Sequence, residues 1–313
     1  HKIFNLRFKT NFLLVNKFHN GQFFKFVIID IINESMMQKH EVIFRGGLGN
    51  QIFCLFEAYK IFLKYKCKVS INLTSYSLSK RKDRSFLLNT LYPPLFDEFE
   101  ISSSIFSNFI FYYSRIIEKF FVKNRCNRLP GDKTFSINYL PNMFLYSGYF
   151  QKINNSDLEI NSLKLLKNQF SPYLSIEGNN NLAIHLRRGD YLYGGHSIHG
   201  IIHEKFLIKE AKKQLSKNNF NGITIFSDSP ELIDINLFIP LHKNLIIDVG
   251  GDPIQVFKRM ATHKGLIASN SSFSLWAGIL GNIQNFSIPY YWMKNVKSSV
   301  IGLKNITRYE CFL

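Results

Sequence analysis

The chain has 313 residues, 46% of them hydrophobic and 19% charged, and carries a formal net charge of +17. That length holds two domains each able to bury a core, and the composition excludes the fibrous and disordered classes. No apolar run reaches the roughly 18 residues that a membrane span needs, because Lys9, Lys17, Lys25 and Asp30 interrupt the greasy N-terminus.

The charge is uneven: residues 1–150 carry 21 basic and 10 acidic groups, residues 151–313 carry 18 and 12. The densest basic stretch, 60–84, predicts attraction to an anionic membrane, with a solvated lysine-rich face as the plainer reading. No recognition motif accompanies the charge, so nucleic acid is not an expected partner. Cys54, Cys67, Cys126 and Cys311 lie far apart with no CxxC pair. That pattern predicts a reducing, cytoplasmic compartment and no structural zinc.

In chain order, residues 1–35 are expected to be an N-terminal extension, since the earliest methionines are Met36 and Met37 and an orderly pattern starts just beyond them. The extension is either foreign to the native domain or a basic amphipathic anchor. A strand over 41–44 runs into the turn Arg45-Gly46-Gly47-Leu48-Gly49-Asn50-Gln51, and helical spacing follows from Ile52. Glycines there permit close backbone approach, and the helix N-terminus offers N–H groups to an anion or sugar. A strand is predicted over 69–73, an aromatic-rich helical region over 101–122, and another strand over 142–150, ending in Gly148-Tyr149-Phe150-Gln151. A helix over 154–170 is closed by Ser171-Pro172 and the polar run 177–181, which predicts a boundary between a domain at 36–176 and one at 177–313.

The second half repeats the pattern. A strand at 182–184 leads into His185-Leu186-Arg187-Arg188-Gly189-Asp190-Tyr191 and a Gly/His-rich loop over 194–200. Two arginines at a strand's C-terminal end are aimed at the crevice where open α/β sheets bind ligands, and a guanidinium forks onto phosphate oxygens without needing a metal. An ion pair between Arg188 and Asp190 is the plainer reading. A helix over 204–216 follows, then a strand over 222–226 ending in Ser227-Asp228-Ser229-Pro230, where Asp228 serves either the site or an Asx turn. A strand over 245–248 and a helix over 253–262 precede a strand over 265–268, which ends in Ser269-Asn270-Ser271-Ser272-Phe273-Ser274-Leu275-Trp276 before an apolar helix. Three strands ending in polar clusters predict a parallel sheet whose tips share one edge.

Taken in order, the glycine turn with Asn50 and Gln51, Gly148 to Gln151, His185 to Tyr191, Phe226-Ser227-Asp228 and Ser269 to Trp276 resemble the bacterial α-1,2-fucosyltransferases of glycosyltransferase family 11, over roughly residues 40 to 295. The resemblance implies an α/β fold of GT-B type, two Rossmann-like domains facing across a cleft. It implies inverting transfer of L-fucose from GDP-β-L-fucose to the 2-hydroxyl of a terminal galactose in a glycan. Arg187 would hold the donor diphosphate, His185 the guanine, and Ser271 and Ser272 with Phe273 a diphosphate shelf, while Arg188, Asp190 and Asp228 shape the donor side. Asn50 would sit beside the reacting sugar, with Gln51 and Gln151 on the acceptor side; from their place in the loop, His196, His199 and His203 either line that acceptor side or lie on the surface, and are not expected to hold a metal. Relatives often carry an acid where Val256 stands, and Asp252, one turn earlier, is expected to take over. A second tryptophan of the family pattern is Leu275 here.

No DxD pair occurs, so no metal or other cofactor is expected. Arg187 and the helix behind Ser271 would offset the charge developing on GDP. Asp190, Asp228, His185 and Glu57 all remain open as general base, with Asp190 the choice. The charge points to a lipid-linked glycan at the inner membrane face as acceptor, while free oligosaccharide, O-antigen and capsule precursors suit the sequence equally well. A GDP-sugar transferase with another donor or linkage, or a basic binding module without activity, are the alternatives.

Overall fold

The computed structural model describes residues 13–14, 28–29, 39–77, 85–102, 112, 135–140, 143–174, 178–192, 199–281, 283–293, 296–297 and 306–311. Residues 1–37 form one compact unit and residues 38–313 another. In the first, Leu13–Leu14 pairs antiparallel with Ile28–Ile29; the rest of the expected extension, and Lys80 to Arg84 of the basic stretch, lie outside the described residues.

The larger unit opens with strand β1 (Lys39–Ile43), whose last four residues are buried, and helix α1 (Leu48–Tyr65). Their first sheet has the order β3-β2-β1-β5-β4, with β2 at Val69–Asn72, β3 at Glu100–Ser102, β4 at Phe135–Leu140 and β5 at Met143–Ser147. All neighbours are parallel except β4 against β5. The helical region expected over 101–122 therefore begins as strand, because Ile101 and Ser102 pair with Ile71 and Asn72; apart from Tyr112 its remainder lies outside the described residues.

Helix α2 (Asp157–Leu174) runs through Pro172 instead of ending before it. In the last turn a proline removes one N–H with little helix beyond it to disrupt. Asn179 to Asn181, expected to be linker, open strand β6 (Asn179–Leu186). The second sheet has the order β8-β7-β6-β9-β10-β11, entirely parallel, with β7 at Gly222–Ser227, β8 at Leu245–Ile247, β9 at His263–Ile267, β10 at Asn285–Pro289 and β11 at Ile306–Tyr309. Helices α3 (Glu204–Leu215), α4 (Pro253–Ala261) and α5 (Ser272–Leu280) connect its strands.

Counted from β6, this is the third-second-first-fourth-fifth-sixth order of dinucleotide-binding sheets, so the crevice lies beyond the tips of β6 and β9. The first sheet has its own reversal between β1 and β5. Helix α5 is apolar on nearly every side because it is covered all round: α1 packs on both α2 and α5, and Trp276, fully buried, meets Phe53 at 4.9 Å and Phe56 at 5.8 Å. One core runs from Val42 and Phe53 through Phe170 to Trp276 and Phe286. The two sheets share it within a single compact unit, and the expected boundary at 176/177 falls outside the described residues. Among the described residues no helix is long and apolar enough to cross a membrane.

Candidate active site

Strand register places the motif residues. Leu186 pairs with Ser227 and Ile184 with Ile267, so the residues leaving β6 come up beside Asp228 on one side and the serine cluster on the other. The Arg187 guanidinium is gripped twice, by Asp228 Oδ2 at 3.1 Å and Asp190 Oδ1 at 2.8 Å, and lies 5.5 Å over the Tyr191 ring. Asp228 Oδ1 also accepts the Arg188 backbone N–H at 2.8 Å. Gly189 permits this approach, since a Cβ there would stand 2.2 Å from Asp228 Oδ2.

Behind Arg187 the cluster is knitted to β9. Tyr191 donates to the Asn270 carbonyl at 3.0 Å and stacks on His199, and Asn270 Nδ2 donates to the carbonyls of His199 and Gly200. His185, only 3% exposed, joins Nδ1 to Ser269 Oγ at 2.8 Å. Burial first, then Arg187 and Arg188, push its pKa down to about 3, so the imidazole is neutral. Burial lowers His199 as well, with Asp190 opposing and Arg187 assisting. Ser271 precedes α5 without capping it through its side chain. The positive end of a buried helix thus opens towards the Arg187 side of the sheet.

The first sheet reaches the same place from the other direction. A Cβ on Gly49 would lie 2.4 Å from the Ser272 carbonyl carbon and 2.5 Å from Phe273 N. The starts of α1 and α5 touch, and only glycine allows it. Gly46 has φ +78°, which favours glycine, and its added Cβ would stand 2.6 Å from Asn50 Nδ2. Gln51, fully buried, spends its whole amide on backbone: Nε2 donates to Gly46 O and Ser85 O at 3.0 Å, and Oε1 accepts from Leu87 N and Leu88 N. Asn50 Oδ1 accepts from Gln151 Nε2 at 2.8 Å, and Gln151 Oε1 accepts from Trp292 Nε1 at 3.1 Å. Arg45 bonds Ser147 Oγ and lies 5.7 Å from the Tyr149 ring centre.

Against this geometry stand the comparisons. The sequence model of glycosyl transferase family 11 matches residues 89–295. The chain belongs to glycosyl transferase family 11. An alpha-1,2-colitosyltransferase of Escherichia coli is 27% identical over 265 residues, covering 76% of this chain and 86% of that protein. Among solved structures, E. coli heptosyltransferase WaaC with ADP is 9% identical with a TM-score of 0.43, covering 86% of this chain and 92% of its own. POFUT1 in complex with GDP is 11% identical with a TM-score of 0.42, covering 80% and 97%. The α-1,6-fucosyltransferase NodZ with GDP is 11% identical with a TM-score of 0.40, covering 78% and 93%. In a family 11 transferase, these two α/β sheets, the second of Rossmann-type order and the first parallel except at its edge strand β4, are the GT-B arrangement.

Within this family 11 chain, Arg187, Asp190, Asp228, His185, Tyr191 and His199 form one cluster, and Asn50 and Gln151 another. Several sequence expectations need correction. Arg188, expected on the donor, is 4% exposed and faces inward, bonding Glu204, Ile202 O and Arg187 O. Burial, the largest single influence, opposes the Glu204 charge, but the Arg188 bond, a backbone bond and the charges of Arg188 and His203 together lower the carboxyl's pKa. The expected Arg188–Asp190 pair is instead Arg187–Asp190, because three residues of turn bring Asp190 back over Arg187. Gln51 is scaffold, its amide having nothing left for an acceptor. His199 packs with Tyr191 in the Arg187 cluster and not with Asn50. His203 caps α3, and His196 lies outside the described residues.

Asp252 caps α4, accepting from Gln255 N, and makes no hydrogen bond or ion pair with the Arg187 cluster among the described residues. Val256 packs against the core. Glu57 bonds Lys60, which also reaches Glu159 of α2, and so braces two helices away from the strand tips. Asp228 organises the arginine loop and makes no Asx turn; Ser227 Oγ accepts from Ser229 N instead. The sequence reading missed Glu204, Tyr191 and Trp292. Tyr191 was already in the quoted motif, whereas nothing local marks Trp292, which reaches Gln151 across 141 residues. Among the described residues no group of three or more His, Cys, Asp or Glu side chains is placed to hold a metal ion.

Proposed function

We propose that this family 11 transferase moves L-fucose, with inversion, from GDP-β-L-fucose to the 2-hydroxyl of a terminal galactose. The observation that carries the donor reading is Arg187 at the β6–β9 reversal, its fork held ready by Asp190 and Asp228. In the reaction the bond between the sugar's C1 and the diphosphate breaks, a bond from C1 to the acceptor oxygen forms, and the hydroxyl proton leaves with a base. Arg187 and the N-terminus of α5 would offset the charge that collects on GDP, the task a metal performs elsewhere. A diphosphate competing for Arg187 would release Asp190, 55% exposed, which makes it our choice of base. Ser271, Ser272 and Phe273, at the start of α5, would form the shelf. His185 would act by holding Ser269 and thereby the cluster's shape.

A second reading keeps the site and changes the sugar to colitose, supported by the E. coli relative's name. A site that hydrogen-bonds a sugar hydroxyl rejects the deoxy analogue strongly, so donor competition separates the two. Incubation with GDP-fucose, GDP-colitose or GDP-mannose and a galactose-terminated oligosaccharide, with the product linkage read by NMR, should give an α-1,2-fucoside. Preference for GDP-colitose would establish the second reading, and transfer from none of them would contradict both. A membrane-bound acceptor is supported by Phe62 and Tyr65, exposed beside Lys64, Lys66 and Lys68 at the end of α1. Sedimentation with anionic vesicles and release by salt would test it.

A further inference from the structure

The chain from Trp292 through Gln151 to Asn50 has a direction that chemistry dictates. An indole N–H donates and never accepts. The Gln151 atom facing Trp292 must therefore be its carbonyl oxygen, which leaves the NH2 end for Asn50. Asn50 must then turn its own oxygen to Gln151, and its NH2 is left over. That NH2 lies against Gly46 and has no partner among the described residues. It sits in the third residue of α1, one position from the Gly49–Ser272 contact between the two sheets.

We infer that Trp292 and Gln151 are positioning residues that fix Asn50 as a hydrogen-bond donor to a carbohydrate oxygen. This rests on the reading of the site as a sugar transferase. It gives Asn50 a defined part: it can hold an oxygen lone pair of a sugar, and it cannot receive the acceptor's proton. It also explains why an indole from beyond β10 is drawn to the β1–β5 reversal, because only a one-way donor sets the polarity of two successive amides.

Gln151→Glu tests the direction. The ionised carboxylate of this variant accepts from both neighbours, so Asn50 would rotate its NH2 inward and present oxygen to the sugar. Protonation restores one donor and one acceptor, as in the amide. Transfer by Gln151→Glu should fall about tenfold in kcat above neutral pH, the value of one hydrogen bond, with GDP affinity unchanged. The variant-to-wild-type ratio should then climb as pH falls towards the carboxyl's range.

Trp292→Phe keeps the ring without the N–H and should lose a smaller factor, about two- to fivefold, flat with pH. In 15N-asparagine-labelled protein without substrate, the Asn50 amide protons should shift with that same titration in Gln151→Glu alone. A pH-independent ratio together with unmoved Asn50 resonances would overturn the inference, as would full activity in Trp292→Phe. Wild type that binds no GDP while the resonances shift as expected would instead bring down the transferase reading and leave the amide polarity standing.

Discussion

The two sheet reversals come together where Gly49 meets Ser272 but differ in chemistry. At β6–β9 the groups are ionic, with Arg187 between Asp190 and Asp228, and Arg188 on Glu204. At β1–β5 one cation, Arg45, bonds the neutral hydroxyl of Ser147 beside a chain of neutral amides and an indole, Asn50, Gln151 and Trp292. Charged groups that already satisfy one another can release a strong anion site when a better-matched anion arrives. Amides in a fixed chain instead select by direction. On this comparison the ionic side suits a diphosphate and the amide side a sugar.

The largest expected effect breaks the ionic side. Arg187→Lys should lose at least roughly a hundredfold in kcat, near the cost of removing a charge-stabilising contact, because an ammonium lacks the bidentate fork; activity within threefold of wild type would show that only charge matters there. Next comes the contact joining the two sides. Gly49→Ala should cost about 1–3 kcal/mol by forcing α1 away from Ser272, read as a fall of roughly 2–4 °C in Tm for each kcal/mol, and should lower transfer more than GDP binding.

A third prediction concerns His185. Its folded pKa lies below the ordinary value of 6.5, so the unfolded chain takes up a proton that the folded one refuses. Stability from this group is complete above pH 6.5 and is lost as pH falls towards 3, by at most about 1.4 kcal/mol per unit. Denaturant titrations of His185→Asn should show a shallower acid slope than wild type; the same slope in both would place the acid sensitivity elsewhere. The smallest effect sharpens the picture of mutual satisfaction. If Asp190 competes with the diphosphate for Arg187, Asp190→Asn should tighten GDP binding by about two- to fivefold, within the range of an exposed ion pair, while transfer falls. Weakened GDP binding would mean that Asp190 orients Arg187 for the ligand.

These contrasts also explain what was legible in the sequence. The strands of the second sheet were readable because parallel strands covered on both faces are continuous apolar runs, as in Leu182 to Ile184, and their tips carried charged or hydroxylic clusters. Singling out Arg187 took the family resemblance, but both arginines followed from that edge, as did Asp228 as a candidate beside the Asx-turn reading. Partner choice did not: whether Asp190 pairs with Arg187 or Arg188 depends on which guanidinium turns into the core, and that is decided by Glu204, in α3. Pro172 misled because proline's effect depends on its place in a helix, which only the packing of α2 fixes. Gln51 looked functional because it adjoins Asn50. A helix sends successive side chains about 100° apart, so Asn50 turns to Gln151 while Gln51 is buried against backbone. Trp292 had no local signal, since its role exists only through Gln151.

The central claim is that Arg187 and the β6–β9 reversal make a metal-free nucleoside-diphosphate site. Calorimetric titration of GDP into the wild-type protein in EDTA, with Arg187→Ala alongside, tests it most directly. Micromolar binding that survives the chelator and disappears in the variant is the predicted result. A folded wild-type protein that ignores GDP, or an Arg187→Ala variant that binds it equally well, would contradict the account.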